Sequence, residues 1–245
     1  MGYVLKGEIL VSKLAVEKVD CIILCGGKGT RLRETIGETQ KVMADVEGKP
    51  FLDILLERFK NQGIRRVILC TGYKSEEVEV YYKNNDFGLE IVISKEEEPL
   101  GTGGAIKNAI RYVQSDSFFA LNGDCICDAD LNAFYTFHQS QGANATLLVS
   151  RIKNNKDFGV IVMDEQNNIL AFKEKEVLAV ALVNVGIYCF KKDIASFMPS
   201  EKKFSIEYDG FPRFVGHDFK GFIIDESFLD IGTPDRFEKV KDKTF

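Results

Sequence analysis

Short apolar runs alternate with helix-patterned segments through the first half of the chain, and that alternation restricts the fold more than any other feature. Runs at 19–25, 66–70, 89–93 and 117–121 read as strands, and 51–62, 74–83, 102–113 and 130–141 read as helices. In 51–62, Leu52, Leu55, Leu56 and Phe59 recur at helical spacing, and Gly63 supplies the stop signal. Strand–helix repetition of this kind predicts an α/β class of Rossmann-like architecture, a mainly parallel or mixed sheet with helices on both faces. The second half is richer in β signals, at 144–151, 158–163, 168–173, 182–190 and 219–224. The segment 201–216 carries aromatics and a short helix, and TPDRFEKVK at 233–241 reads as a helix with Thr233 as N-cap and Pro234 in its first position. No internal repeat or low-complexity linker separates the halves. Residues 19–245 are therefore expected to form one domain, preceded by an extension over 1–18 that fits neither half.

In open sheets of this class ligands sit at the carboxyl ends of strands. The stretch CIILCGGKGTRLR at 21–33 runs from an apolar strand straight into glycines flanked by Lys28, Arg31 and Arg33. Glycines let backbone N–H groups approach an anion closely, and cations reinforce the site. A Walker A loop is excluded, because Lys28 precedes Gly29 and no G-x-x-x-x-G-K-[ST] window fits. The dinucleotide fingerprint fails as well, because Leu32 stands where G-x-G-x-x-G needs its last glycine, which argues against a hydride-transferring oxidoreductase. What remains is a triphosphate loop or, more blandly, a tight strand-to-helix turn.

Composition narrows the partners. The formal net charge of -5 gives no support for nucleic-acid binding. No apolar run reaches the length of a membrane span, and Lys6, Glu8 and Lys13 break up the N-terminus, so neither a membrane segment nor a signal peptide is expected. The six cysteines lie mostly in strand-like runs as small buried hydrophobes, and Cys125 and Cys127 lack the companions of a zinc site. Reduced thiols without an export signal point to the cytoplasm.

Two carboxylates stand out. Asp124, in ALNGDCICDADL, follows an apolar strand, and such a carboxylate beside a phosphate loop suits Mg²⁺, which takes oxygen ligands and shares them with substrate phosphates. Asp230, in FLDIGTP, is a second candidate; taken singly, each is also an ordinary turn or cap residue. Lys41 and Lys175 add positive charge. Glu174 and the Asn184 amide, which both donates and accepts, suit sugar hydroxyls.

LCGGKGTRLR, GKPFL at 48–52, EPLGTGGAI at 98–106, LNGD at 121–124, DFGV at 157–160, Glu174-Lys175, NVGIY at 184–188 and DIGTP at 230–234 occur in a recognisable order. The chain resembles the sugar-1-phosphate nucleotidyltransferases over about residues 19–241. Within that family it is most similar to the D-glycero-D-manno-heptose 1-phosphate guanylyltransferases, by the LCGG loop, EPLGTGGAI and the short spacing between Glu174-Lys175 and Asn184. The resemblance implies a glycosyltransferase-A-like fold with a nucleotide-binding half at about 19–130 and a sugar-binding half at about 131–245. It also implies that Leu24, Gly26, Gly27, Gly29, Thr30, Arg31, Gly101, Thr102 and Asn122 bind the nucleotide, and that Asp124 and Asp230 hold Mg²⁺. Lys175 would bind the sugar phosphate, with Gly159, Glu174 and Asn184 lining the sugar pocket. Arg31, Lys41, Asp124, Lys175 and Asp230 form the implied catalytic set. Glu96, five residues before Gly101, falls where the family's pattern puts a base-contacting side chain. A carboxylate can accept from both N1–H and the 2-amino group of guanine, which favours GTP.

The implied reaction is in-line attack of a sugar-1-phosphate oxygen on the α-phosphorus of an NTP, with pyrophosphate leaving. The nucleophile is already an anion, so the work is positioning and charge neutralisation. GTP and heptose 1-phosphate are the favoured pair, feeding a surface glycan such as lipopolysaccharide, capsule or S-layer glycan. UTP, CTP or dTTP with another sugar is the nearest alternative, and a catalytically inactive nucleotide-binding regulatory subunit is a different class. Homo-oligomerisation stays open. Two departures from the family are visible: its frequent Pro-Lys-Pro-Met is Gln40-Lys41-Val42-Met43 here, and its Glu-Lys-Pro is Glu174-Lys175-Glu176. Loss of both prolines removes the rigidity expected to aim Lys41.

Overall fold

The computed structural model describes residues 16–27, 29–153, 155–156, 158–174, 178–225 and 228–242. Lys28, Lys175 and Glu176, together with residues 1–15 of the expected extension, lie outside the described residues.

In chain order, the first strands are β1 (Asp20–Leu24), the short pair β2 (Asp45–Val46) and β3 (Lys49–Pro50), β4 (Arg66–Thr71) and β5 (Glu90–Lys95). They are followed by β6 (Ser117–Asn122), β7 (Cys125–Cys127), β8 (Ala145–Ile152), β9 (Val160–Met163), β10 (Ile169–Lys173), β11 (Ala181–Lys191), β12 (Phe219–Ile224) and β13 (Phe228–Asp230). The longer helices are Phe51–Asn61, Ser75–Asn84, Gly101–Ala109, Leu131–Ser140 and Pro234–Lys241.

The central sheet has seven strands in the order β12-β8-β11-β6-β1-β4-β5. Parallel pairing joins β6, β1, β4 and β5, and also β8 and β12; β11 alone runs antiparallel to both its neighbours, β6 and β8. The period-2 alternation of the strands sorts their side chains onto two faces. Cys21, Ile23, Val67, Leu69, Phe119 and Leu121 pack with the helices Phe51–Asn61, Ser75–Asn84, Leu131–Ser140 and Pro234–Lys241. Ile22, Ile68, Cys70, Phe118 and Ala120 face the helix Gly101–Ala109 and the aromatic segment that includes Phe204, Phe211 and Phe214. Both faces are covered, which is why the strands read as nearly continuous apolar runs.

Of the three two-stranded ladders outside this sheet among the described residues, two shape the site. β7 pairs with β13 antiparallel, setting Asp230 opposite Cys125. β9 pairs with β10 as a hairpin, setting Val160 opposite Lys173. Residues 122–128, which follow the strand expected over 117–121, thus contain a short strand of their own. The helix expected over 102–113 stops at Ala109 and tightens into a 3₁₀ turn at Ile110–Tyr112, after which Val113 turns extended.

Candidate active site

At the carboxyl end of β1 the chain leaves the sheet, with Cys25 N–H still donating to the Cys70 carbonyl at 2.8 Å. Three glycines then bring backbones together. A Cβ at Gly26 would come within 3.0 Å of Glu96 Oε1. Gly29 sits at φ 57°, in the left-handed region, with Lys41 Cβ 3.0 Å from where a side chain would begin. Gly123, just past β6, donates its N–H to the Leu24 carbonyl at 3.0 Å, and a Cβ there would meet that same oxygen at 2.5 Å. Glycine is favoured at 29 by its left-handed backbone and required at 123 by the close approach to the Leu24 carbonyl.

These turns wall a cavity of about 680 Å³ at the strand ends, a volume in the usual range for a small-molecule site. Leu24, Gly26, Gly27, Gly29, Thr30 and Arg31 line one side, Lys41, Asn122 and Asp124 the floor, and Glu96, Gly101 and Thr102 the other side. Lys41 Nζ pairs with Asp124 Oδ2. Arg31 is exposed at the cavity, and its Nη2 lies 3.7 Å from the position of a Cβ built on Gly232.

On the far side, the run Gly101-Thr102-Gly103-Gly104 is dictated by the segment packed on it. The Phe204 carbonyl accepts from Gly103 N–H at 3.0 Å and Gly104 N–H at 3.3 Å. A Cβ at Gly103 would sit 2.1 Å from the Phe204 ring, and one at Gly104 2.2 Å from the Lys202 carbonyl oxygen. The third and fourth N–H groups of this helix are thus satisfied by protein. Thr102 Oγ1 donates to Glu207 Oε2 at 2.8 Å and accepts from Ile206 N–H at 2.9 Å. Glu96 is half-buried and accepts from Leu100 N–H at 2.9 Å; burial raises its pKa, and that hydrogen bond offsets the rise only in part.

The short β7–β13 ladder brings the Asp230 segment beside Asp124, with Ile231 N–H donating to the Asp124 carbonyl at 2.9 Å, but Asp230 itself does not line the cavity. Its carboxylate accepts from Gly232 N–H and from Arg236 Nη1, each at 2.7 Å. The sugar-side residues Gly159, Glu174 and Asn184 do not line the cavity. Gly159 and Glu174 flank the paired residues Val160 and Lys173 at the open end of the β9–β10 hairpin, and a Cβ at Gly159 would lie 3.1 Å from the Lys173 carbonyl oxygen. That hairpin touches the Asp230 segment: the Phe158 and Phe228 rings are 5.3 Å apart, and the Arg236 guanidinium lies 5.1 Å over Phe158. Asn184 sits at an irregularity of β11, accepting from Gly186 N–H at 2.8 Å and donating to Tyr188 Oη at 3.0 Å. Lys175 lies outside the described residues. Arg236, Glu207 and Tyr188 escaped the sequence reading. The only signal for Arg236 was its place two residues after Pro234, on a helix following the FLDIGTP carboxylate.

Asp124 and Asp230 offer oxygen donors only, and among the described residues no group of three or more His, Cys, Asp or Glu gathers. That donor set fits Mg²⁺, which is commonly held by one or two carboxylates while substrate phosphates and water supply the rest.

A glycine loop, Arg31, Lys41 and the Asp124 carboxylate around one cavity at the ends of parallel strands define an α/β protein built for a phosphorylated ligand. The chain belongs to the nucleotidyl transferase family, whose family model matches residues 20–245. It is 39% identical over 224 residues to D-glycero-alpha-D-manno-heptose 1-phosphate guanylyltransferase of Aneurinibacillus thermoaerophilus, covering 91% of this chain and 97% of that one. The Campylobacter jejuni protein of the same name is 37% identical over 224 residues, covering 89% and 97%. Crystal structures of HddC from Yersinia pseudotuberculosis, one complexed with GMP-PN, superpose with TM-scores of 0.83 and 0.81 at 34% identity, covering 91% of this chain and 98% of theirs.

Proposed function

We propose that this chain transfers a guanylyl group from GTP to a sugar 1-phosphate, heptose 1-phosphate foremost, releasing pyrophosphate. The observation that carries this reading is the single cavity that gathers the glycine loop, Arg31, Lys41, Asp124 and Glu96. Support comes from the 39% identity to a heptose 1-phosphate guanylyltransferase over most of both chains.

The loop Gly26–Gly29 would cradle the phosphates with backbone N–H groups, which glycine permits to approach closely. Arg31 would hold the leaving pyrophosphate. Lys41 would offset the repulsion between two anionic substrates, and Glu96 would accept from the Watson–Crick edge of guanine. Asp124 and Asp230 are the residues that would hold Mg²⁺, which when bound would neutralise phosphate charge and act as a template. Gly159, Glu174, Lys175 and Asn184 are assigned to the sugar 1-phosphate. The nucleophile arrives ionised, so no side chain need remove a proton; rate comes from alignment and from charge placed where it develops. We place the reaction in the cytoplasm, on the strength of six free thiols, and its product in surface-glycan assembly.

Incubation with GTP, Mg²⁺ and a panel of sugar 1-phosphates, followed by mass spectrometry, tests the acceptor. GDP-heptose as the dominant product is expected. A dominant GDP-hexose would keep the reaction and replace the sugar.

A further inference from the structure

Gln40 stands where the family often has the first proline of Pro-Lys-Pro-Met, and its side chain is wholly buried. Its polar groups work in three directions. The amide nitrogen donates to the carbonyl of Cys25, the last residue before the glycine loop. The amide oxygen accepts from Val42 N–H at 2.7 Å, capping the 3₁₀ turn Lys41–Met43. The backbone N–H donates to Glu77 Oε2 at 3.1 Å, in the helix Ser75–Asn84. Proline, with neither a polar side chain nor an N–H, could make none of these bonds. The turn that Gln40 caps carries Lys41, whose chain runs against Gly29 and whose ammonium meets Asp124.

We propose that Gln40 is the positioning residue for Lys41: its buried amide locks the lysine's turn to the start of the glycine loop, doing with hydrogen bonds what a ring constraint does elsewhere in the family. A buried amide bonded at both its nitrogen and its oxygen has one arrangement, because leaving either end unpaired costs about 1–3 kcal/mol. The lysine and the loop are thereby held as one unit. The inference rests on the role given to Lys41 above.

A double-mutant cycle separates positioning from mere support. Q40M keeps the side-chain volume and removes both amide bonds. Turnover, read as pyrophosphate release, is expected to fall about 30-fold in Q40M with the GTP KM changed less than about threefold, since small misplacements of reacting groups carry losses of this order. In a K41A background the same substitution is expected to change turnover less than about threefold. Equal losses in both backgrounds, or an unchanged Q40M, overturn the proposal. Wild-type turnover in K41A overturns the role of Lys41 and this inference with it. If the wild type itself lacks turnover, the functional reading fails, and the same cycle read on inorganic pyrophosphate affinity decides the coupling between Gln40 and Lys41. Should Q40M fail to fold, Q40E carries the test, because it keeps the Val42 cap and sets a carboxylate oxygen against the Cys25 carbonyl.

Discussion

Lys41 and Asp124, 83 residues apart in the chain, form an ion pair on the cavity floor. The lysine side chain is 12% exposed and the aspartate 34%, so the pair is largely shielded yet open to a ligand from one side. A divalent cation and a triphosphate entering here would find both charges already in place. Asp124→Ala is expected to lower turnover by at least about 100-fold, the scale seen when a charge-stabilising group is removed from an active site. Steady-state kinetics with Mg²⁺ varied checks this; wild-type-like turnover would remove Asp124 from the metal assignment.

If Glu96 reads guanine as proposed, it gives the base preference a pH signature. Burial raises its pKa above the ordinary glutamate range. On that reading the charged form accepts from guanine, so GTP affinity is expected to hold at neutral pH and to decline as pH falls through that raised value. Calorimetric titration of GTP should show an inflection above the ordinary glutamate range. In Glu96→Gln the inflection should vanish and the preference for GTP over UTP should shrink about tenfold. An unchanged preference would contradict the assignment.

Gly27 offers a contrast with its neighbours. Nothing lies within 4 Å of a Cβ built there, and its backbone is not in the left-handed region. Gly27→Ala should therefore fold with a wild-type melting temperature. If phosphates lie against the loop, the added methyl should still weaken GTP binding about tenfold, or about 1.4 kcal/mol. Unchanged affinity would place the phosphates elsewhere. Gly104→Ala, by comparison, drives a methyl into the Lys202 carbonyl at 2.2 Å and should destabilise by at least about 2 kcal/mol in urea melts.

At the opposite end of β1, stability is at stake. The buried Asp20 carboxylate accepts from Arg66 Nη1 at 2.7 Å and from the N–H groups of Gln114 and Ser115 at 2.5 and 2.9 Å. Burial alone would raise its pKa, but the Arg66 pair and these backbone bonds together hold it below the usual aspartate range. A depressed carboxylate contributes stability above its unfolded pKa, and that contribution is lost as pH falls through the lower folded value. Asp20→Asn should cost about 3–5 kcal/mol at neutral pH by leaving Arg66 partly uncompensated, without altering nucleotide preference. Equal urea midpoints for mutant and wild type would contradict this.

Strands and long helices were legible because apolar periodicity is local: β12 falls on the expected residues and β1 within one residue at each end. The three-residue strands β7 and β13 were not legible. Neither shows a pattern long enough to read, yet their pairing brings the Asp230 segment to Asp124. Such contacts between distant segments follow from topology. The same holds for Arg236 on Asp230 and Glu207 on Thr102, where an ordinary surface residue type gains meaning only from its partner. Gln40 was visible in sequence only as a missing proline; its compensating hydrogen bonds needed coordinates.

The most direct test of the central claim is pyrophosphate release with Mg²⁺ and heptose 1-phosphate, comparing GTP with ATP, CTP, UTP and dTTP. Release with GTP well above the other four is the predicted result. Release led by another nucleotide would contradict the guanine reading of Glu96, and none with any nucleotide or sugar 1-phosphate, despite measurable nucleotide binding, would contradict the transferase assignment itself.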